Sequence, residues 1–422
     1  MVFDRASRGW CARWPKRHNA VVPHTRRSVL AALPSMAGLP ALAPSVGLAK
    51  DPLGVRADFP VAETSLYLNS AYITPTPLPV VAAGREFAEA KARAPISLGD
   101  MLHETDLVRA QFAKLIGAES DEVGFLAATS EGENVVAGSL AFGPGDNVVI
   151  DELHYETEFV LYSHLAKTTG MELRVAKAVG GAVTTKELEP LVDRRTKLVS
   201  VAWVSHQNGF RHDMRPIADL AHAHGALFYT DGIQAAGMFP LDVKAAGVDA
   251  MTVGTYKWLL ASYGVAPFYV RPEVLDRLRL DRYGALHVEH EIGPREFEIY
   301  KTTKRFEYAT LAFGPVYQLG AGLAYLERVG VDRIEAHTVA LAHRLQRGLH
   351  SLGFELLTPQ GNRSSIVAFR VGKAEDQIAR HLAETHTKVS VREKGTQIRV
   401  SPALFNTEDD IDRFLTVAER LR

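Results

Sequence analysis

Cysteine is almost absent: Cys11 is the single one in 422 residues. One thiol closes no internal disulfide. If an N-terminal leader is removed, no thiol remains for nucleophilic catalysis or persulfide transfer. Charge of one sign is lacking too. The 48 basic residues are matched by 49 acidic ones, so no bulk field draws the chain to nucleic acid or a membrane surface. No apolar run reaches the roughly 20 unbroken residues that a membrane span requires. Internal repeats and low-complexity tracts are also missing. What remains is a hydrophobic content of 46%, ordinary for a globular enzyme. The chain is long enough for two domains, or for one large domain with an appendage.

Residues 1–49 read as a leader. Arg26 and Arg27, within Thr-Arg-Arg-Ser-Val-Leu-Ala, precede an apolar stretch from Leu30 to Leu48, and Gly47-Leu48-Ala49 offers a cleavage site. The paired arginines resemble a twin-arginine (Tat) signal, which hands folded proteins to the Tat export machinery. The plainer alternatives are a disordered basic leader or a buried helix. Pro34, Pro40 and Pro44 count against the helix and against stable membrane insertion. The expected location is the periplasm; without export it is the cytoplasm.

From about residue 105 to 270, apolar runs alternate with helical patterns. The runs are Val123–Ala127, Asn147–Ile150, Leu198–Val204, Ala226–Tyr229 and Ala250–Val253, and helices are expected at Glu131–Phe142, Glu156–Thr169 and Ile217–His224. This alternation implies an α/β fold with a mainly parallel sheet covered on both faces. Near Gly314 the pattern changes to a long helical stretch (Tyr317 to Leu352, interrupted near Gly330) and short strands at Ser365–Val371 and Gln397–Val400. Helices follow at Glu375–Glu384 and Glu408–Leu421, the last capped by Thr407 with Asp410. The expected organisation is a leader (1–49), an N-terminal segment packing with the small domain (50–80), a large domain (81–314) and a small C-terminal α/β domain (315–422), joined by an extended Tyr67–Pro79.

Ligands of open parallel sheets bind outside the carboxyl ends of the strands, and each expected strand delivers polar residues there. Thr129 and Ser130 open a helix, as a simple N-cap or as a phosphate cup. Tyr155 is either a packing tyrosine or a ring that stacks on a planar cofactor. His206 is either structural or a donor to a ligand oxygen. Asp231 and Gln234 follow the fourth run, and Thr255 and Lys257 the fifth. A lysine beside an aspartate at such an edge suits pyridoxal phosphate. The amine carries the cofactor aldehyde as a Schiff base, and the aspartate keeps the pyridine nitrogen protonated. Each signal alone is weak; their convergence on one rim is strong.

With these residues in hand, the chain resembles the class V, cysteine desulfurase-like group of fold-type I pyridoxal-phosphate enzymes. The matching stretches are ATSEGEN at 128–134, TDGIQAAG at 230–237, TYKW at 255–258, RFEYAT at 305–310 and IRVSPALFNTEDDIDRF at 398–414. The resemblance implies a seven-stranded, mainly parallel sheet in the large domain and a homodimer with shared sites. Lys257 would then be catalytic and Asp231 the pyridinium partner. Gln234 and His206 would contact the phenolic oxygen. Thr129, Ser130 and Thr255 would hold the phosphate, Tyr155 would stack, and Thr310 would reach the neighbouring subunit's phosphate. Arg399 would bind the substrate carboxylate. No metal site is expected. The sequence departs from the pattern at Ala309, in place of glycine, and at His206, in place of asparagine. His287, His290, Arg295 and Lys301 lie in a loop-like stretch before RFEYAT, which either lines the substrate pocket or is a solvated polar loop.

The missing catalytic cysteine argues against a desulfurase that stores sulfur as persulfide. Transamination, β-elimination (C–S lyase), epimerisation of the isopenicillin N type and kynureninase-like cleavage remain open, with transamination read first. Export suggests an amino acid or amino-acid-derived natural product met in the periplasm. The periplasmic enzyme of pyoverdine maturation has a similar layout. Alternatives of another kind are an inactive exported scaffold and a periplasmic binding protein, neither of which needs Asp231, Lys257 and Arg399 together.

Overall fold

The computed structural model describes residues 51–422, so the expected leader with Cys11, Arg26 and Arg27 lies outside the described residues. After short helical turns at Arg56–Asp58 and Val61–Thr64, the first long helices are α1 (Leu78–Arg93) and α2 (Leu98–Ile116). The Ser97 hydroxyl caps α2 by accepting the Asp100 N–H at 3.0 Å. Gly117, at φ 71°, ends that helix in the left-handed conformation that glycine adopts without strain.

The central sheet is built from β1 (Val123–Leu126), β2 (Asn147–Asp151), β3 (Glu172–Ala176), β4 (Thr196–Ala202), β5 (Leu227–Asp231), β6 (Ala250–Thr252) and β7 (Ala266–Val270). Its spatial order is β1-β7-β6-β5-β4-β2-β3. Neighbours pair in parallel except where β7 meets β1 and β6. Side chains alternate between the two faces, as the strand period requires. Val148, Ile150, Leu198, Leu227 and Tyr229 pack with α3 (Thr129–Ser139) and α4 (Glu156–Thr169). Val149, Val199, Val201 and Phe228 join the opposite core with α2 and α5 (Met214–Ala223). Both faces are thus dry, which is why the central strands read as continuous apolar runs.

After the sheet, α6 (Phe313–Val329) and α7 (Val331–Ser351) meet at Gly330, where φ is 87°. A second, antiparallel sheet has the order β8 (Val367–Arg370), β10 (Gln397–Val400), β9 (Ser390–Arg392). Helices α7, α8 (Glu375–Glu384) and α9 (Glu408–Glu419) pack on it around a separate core that includes Leu345, Phe369, Ile378, Ile398 and Phe414. Thr407 and Asp410 form the expected capping box of α9. The N-terminal segment joins this region: Leu66–Tyr67 pairs in parallel with Thr387–Lys388, and Arg56 meets Asp410 at 2.6 Å.

Three expectations are corrected. The connection Tyr67–Pro79 is not one extended segment, since a turn follows Asn69 and α1 starts at Leu78. Strands β3 and β7 were not among the five apolar runs. β3 is a half-exposed edge carrying Glu172 and Arg174, and β7 contains Pro267. The loop-like stretch before RFEYAT is an antiparallel hairpin of Val288–Gly293 and Glu296–Ile299. His287, at its start, is buried and accepts the Gly284 N–H through Nε2 at 3.2 Å.

Candidate active site

The carboxyl ends of β1, β4, β5 and β6 surround a cavity of about 210 Å³, lined by Thr129, Ser130, Tyr155, His206, Asp231, Gln234 and Lys257 among others. A second cavity of about 400 Å³ shares Tyr155, His206, Tyr256 and Lys257 with it and adds Glu156, Arg392 and Arg399 among others. Lys257 therefore stands where the two meet.

Helix α3 begins at Thr129 with no side-chain cap, so its first N–H groups are left for a ligand, and the helix dipole favours an anion there. Among the described residues the buried Thr129 hydroxyl has no hydrogen-bond partner. Gly254 passes beside it. A Cβ at Gly254 would come within 2.8 Å of Thr129 Oγ1 and 2.7 Å of Ile233 Cδ1, so only glycine keeps this cup open.

Asp231 ends β5 and is buried. Its Oδ1 accepts the Ile233 N–H at 2.8 Å, which leaves the second oxygen for a ligand. Burial raises its pKa, a desolvated anion holding protons more tightly. Burial acts oppositely on Lys257, whose pKa falls to about 8 although Asp231 opposes the shift. The loop carrying Lys257 is tightly wound. Leu260 N–H bonds Lys257 O at 3.0 Å and Ala261 N–H bonds Thr255 O at 3.0 Å, with Leu260 in the left-handed region at φ 63°.

Thr255 belongs to this loop rather than to the phosphate cup. Its fully buried hydroxyl donates to the carbonyls of Ser262 and Val265, and it lines neither cavity. Its expected phosphate contact is replaced by a structural one. Gln234 lines the first cavity, but its amide is a strut: Oε1 accepts Trp258 Nε1–H at 2.7 Å, and Nε2 donates to Ala71 O at 2.8 Å. One amide hydrogen stays available to a ligand. Thr310 is exposed and lines a separate cavity beside Glu131. It is held there by Glu307, which accepts Arg109 Nη1–H and, at 2.9 Å, the Phe125 N–H. Ala309 is not among the non-glycine residues with positive φ, so the replaced glycine's conformational freedom is not needed here.

His206 lies with Nε2 3.1 Å from Glu156 Oε2 and 3.2 Å from Arg392 Nη2, while Nδ1 is buried without a partner. Burial lowers its pKa to about 4, so the ring is neutral and one nitrogen is free to meet a ligand. The Tyr155 ring packs edge-on against it, centroids 5.0 Å apart. Arg399 is buried. Nη1 donates to His206 O, Nη2 donates to Ser390 Oγ at 3.0 Å, and Nε has no partner. Burial, then Arg392, lowers its pKa to about 10. The turn Glu393–Gly395, left-handed at all three residues, places Arg392 and Arg399 on adjacent strands.

Sequence reasoning missed a buried polar network behind this rim. The Tyr155 N–H donates to His154 Nδ1 at 2.8 Å, so the network assigns the ring proton to Nε2. Nε2 meets Ser200 Oγ at 2.9 Å, and Ser200 and Tyr162 both donate to Glu133 Oε1 at 2.6 Å. Glu158, 2% exposed, lies beside Glu133, and burial and that neighbour hold its pKa far above the carboxylate range. Glu158 therefore keeps its proton at neutral pH. Also missed were Tyr263 and Arg392, which line the second cavity together with Tyr256 of the TYKW stretch. Tyr263 follows the TYKW stretch by five residues and Arg392 precedes the stretch at 398–414 by six, and that proximity was the available signal.

A parallel sheet whose carboxyl edge brings a buried lysine and aspartate to an anion-ready helix start defines a fold-type I pyridoxal-phosphate enzyme. The chain belongs to the aminotransferase class-V family, whose model matches residues 66–414. It is 32% identical over 382 residues to the "Probable cysteine desulfurase" of Methanothermobacter thermautotrophicus, covering 85% of this chain and 94% of the relative. The "Uncharacterized aminotransferase YcbU" of Bacillus subtilis is 29% identical over 358 residues, covering 84% and 94%. An apo cysteine desulfurase of Thermococcus onnurineus NA1 has the same fold, with a TM-score of 0.80 at 26% identity over 88% of this chain and 98% of that one.

Pyridoxal phosphate is the cofactor of this family, and the cavity fits it. The unpartnered Thr129 hydroxyl and the start of α3 suit the phosphate, and the buried Asp231 carboxylate suits a protonated pyridine. The unpartnered His206 Nδ1 suits an oxygen acceptor or donor. Among the described residues no group of three or more His, Cys, Asp or Glu could hold a metal ion.

Proposed function

We propose that this enzyme acts on the α-amino group of an amino acid or an amino-acid-derived natural product, with transamination as the reaction read first. The position of Lys257 between the Asp231 cavity and the Arg399 cavity carries this reading. Arg399 takes the substrate carboxylate through its guanidinium edge. That contact orients the Cα–H toward Lys257. Lys257 Nζ, its pKa lowered to about 8 by burial, receives the α-proton and returns it. Asp231 holds a compensating negative charge at the far wall. When bound, pyridoxal phosphate supplies an electron sink for the charge left at Cα.

A second reading, β-elimination at a C–S bond, is favoured by relatives named as cysteine desulfurases. Elimination needs no thiol from the protein, whereas persulfide storage does, and the one cysteine is Cys11. Epimerisation uses the same proton transfers. To separate these outcomes, the reconstituted protein is incubated with single L-amino acids. Keto acid formed in step with pyridoxamine phosphate supports transamination. Ammonia with pyruvate and sulfide supports elimination, and solvent deuterium at Cα of the D-product supports epimerisation. A protein that binds pyridoxal phosphate but transforms no amino acid returns the inactive scaffold.

We also infer export to the periplasm through the Tat machinery, on the strength of Arg26 and Arg27. A leader–reporter fusion should stay in the cytoplasm once both arginines are changed to lysine; equal export of that variant overturns the assignment. The homodimer with Thr310 at the neighbouring site is part of the same reading. Sedimentation at micromolar concentration tests it.

A further inference from the structure

The second cavity has an unusual wall. Beside Lys257 it holds the buried Arg399 and the Glu156–Arg392 pair at 2.8 Å, whose glutamate is exposed. Four tyrosines also line it: Tyr72, Tyr155 and Tyr263 at its exposed rim, and the half-buried Tyr256. Tyr256 and Tyr263 stack on each other, centroids 4.3 Å apart and planes 22° from parallel. Tyr72, Tyr155 and Tyr263 stay 60%, 42% and 54% exposed. Large rings left open to solvent around one cavity form an apolar surface awaiting a partner. Burial keeps the Tyr155, Tyr256 and Tyr263 phenols neutral, since it raises their pKa values. Among the described residues no carboxylate other than Glu156 lines this space, and that one is engaged by Arg392.

We propose that this tyrosine rim is a subsite for an aromatic or similarly flat, extended side chain, so that the substrate is an aromatic-type amino acid rather than a small one such as cysteine or alanine. The inference rests on the proposed amino-acid reading. With the carboxylate at Arg399 and the amine at Lys257, a side chain leaving Cα enters the remaining space. That space is about 400 Å³, which falls within the general range for pockets that take drug-sized ligands. A methyl or thiol group would leave the rim wet. A planar ring would gain offset or edge-on contacts with Tyr256, Tyr263 and Tyr72. The flat Arg392 guanidinium, with its charge balanced by Glu156, provides one more face for a ring.

The test is a titration of the holoenzyme with L-tryptophan, L-phenylalanine, L-serine and L-alanine, read from the change in the bound cofactor's absorbance. The aromatic pair should bind about tenfold or more tighter than the small pair, the gain that two ring contacts allow. Tyr263→Ala and Tyr72→Ala, both at exposed positions that folding tolerates, should each bring that ratio toward one by weakening the aromatic ligands. Equal affinities in the unaltered enzyme, or variants that leave the ratio untouched, overturn the subsite while the amino-acid reading stands. A spectrum that no amino acid changes overturns that reading, and the subsite with it.

Discussion

The Ser200 hydroxyl donates to Glu133 Oε1 at 2.6 Å, tying the middle of β4 to the helix whose first turn forms the candidate phosphate cup. Tyr162 donates to the same oxygen, and His154 links Ser200 to the Tyr155 backbone. The acceptor at the end of this chain and the carboxyl beside it are not equivalent. Glu133→Gln alters the buried carboxyl group that receives two hydroxyls and should cost about 2 kcal/mol or more. Glu158→Gln keeps a donor beside Glu133 and should cost less. Urea unfolding of both variants checks the order.

The same pair gives a pH dependence with a definite sign. Glu158 is raised in the folded state, so it stabilises fully below the unfolded glutamate pKa of about 4.3. That contribution is lost as pH rises toward the folded value. A glutamine at this position has no proton to lose in the unfolded chain. The stability of Glu158→Gln relative to the unaltered protein should therefore increase steadily from about pH 4.5 to 8. A flat difference would show that Glu158 is ionised in the fold.

Lys257 must be neutral to attack an aldehyde, and its pKa is lowered to about 8. Covalent capture of pyridoxal phosphate by the cofactor-free protein should rise through pH 8 and level off above it. Borohydride trapping and mass measurement follow this. A midpoint near the ordinary lysine value of about 10.4 would mean that the site is more solvated than the 8% exposure of Lys257 implies.

Two threonines should separate by phenotype. Thr129→Val removes a hydroxyl that has no partner among the described residues, so cofactor affinity should fall severalfold with little change in unfolding. Thr255→Val strips a donor from the carbonyls of Ser262 and Val265 and should destabilise by about 1–2 kcal/mol. Cofactor titration beside thermal unfolding distinguishes them.

Arg399→Lys keeps the charge but loses the fork that spans His206 O, Ser390 Oγ and a ligand. KM for an amino acid should rise by about tenfold or more, with cofactor affinity unchanged. An unchanged KM would move the carboxylate elsewhere, with Arg392 the next candidate.

Most of the sheet was legible because strands buried on both faces must be apolar throughout, and Val148–Ile150 or Leu227–Tyr229 announce themselves. β3 did not, because an edge strand with one solvated side can carry Glu172 and Arg174. The hairpin Val288–Ile299 escaped for the same reason, its residues being mostly exposed. Among the site residues, Lys257, Asp231, Thr129, Ser130, Tyr155, His206 and Gln234 come together in one cavity and Arg399 in the next. Thr255 did not follow its neighbour Lys257. Its direction is decided by carbonyls seven and ten residues further along the chain.

The sequence by itself determined the fold class, the family and the residue types on the rim, because periodicity and short motifs are local properties of the chain. The tertiary structure alone decided which polar atoms are already spent and which are free. Gln234 is a strut, Thr255 a lock and Glu133 a buried anchor, whereas Thr129 Oγ1, His206 Nδ1 and Arg399 Nε have no partner. Hydrogen-bond partnership is set between segments far apart in the chain, 193 residues from Arg399 to the carbonyl of His206 and 354 from Arg56 to Asp410. No local pattern encodes that pairing; only the packed chain brings donor and acceptor within reach.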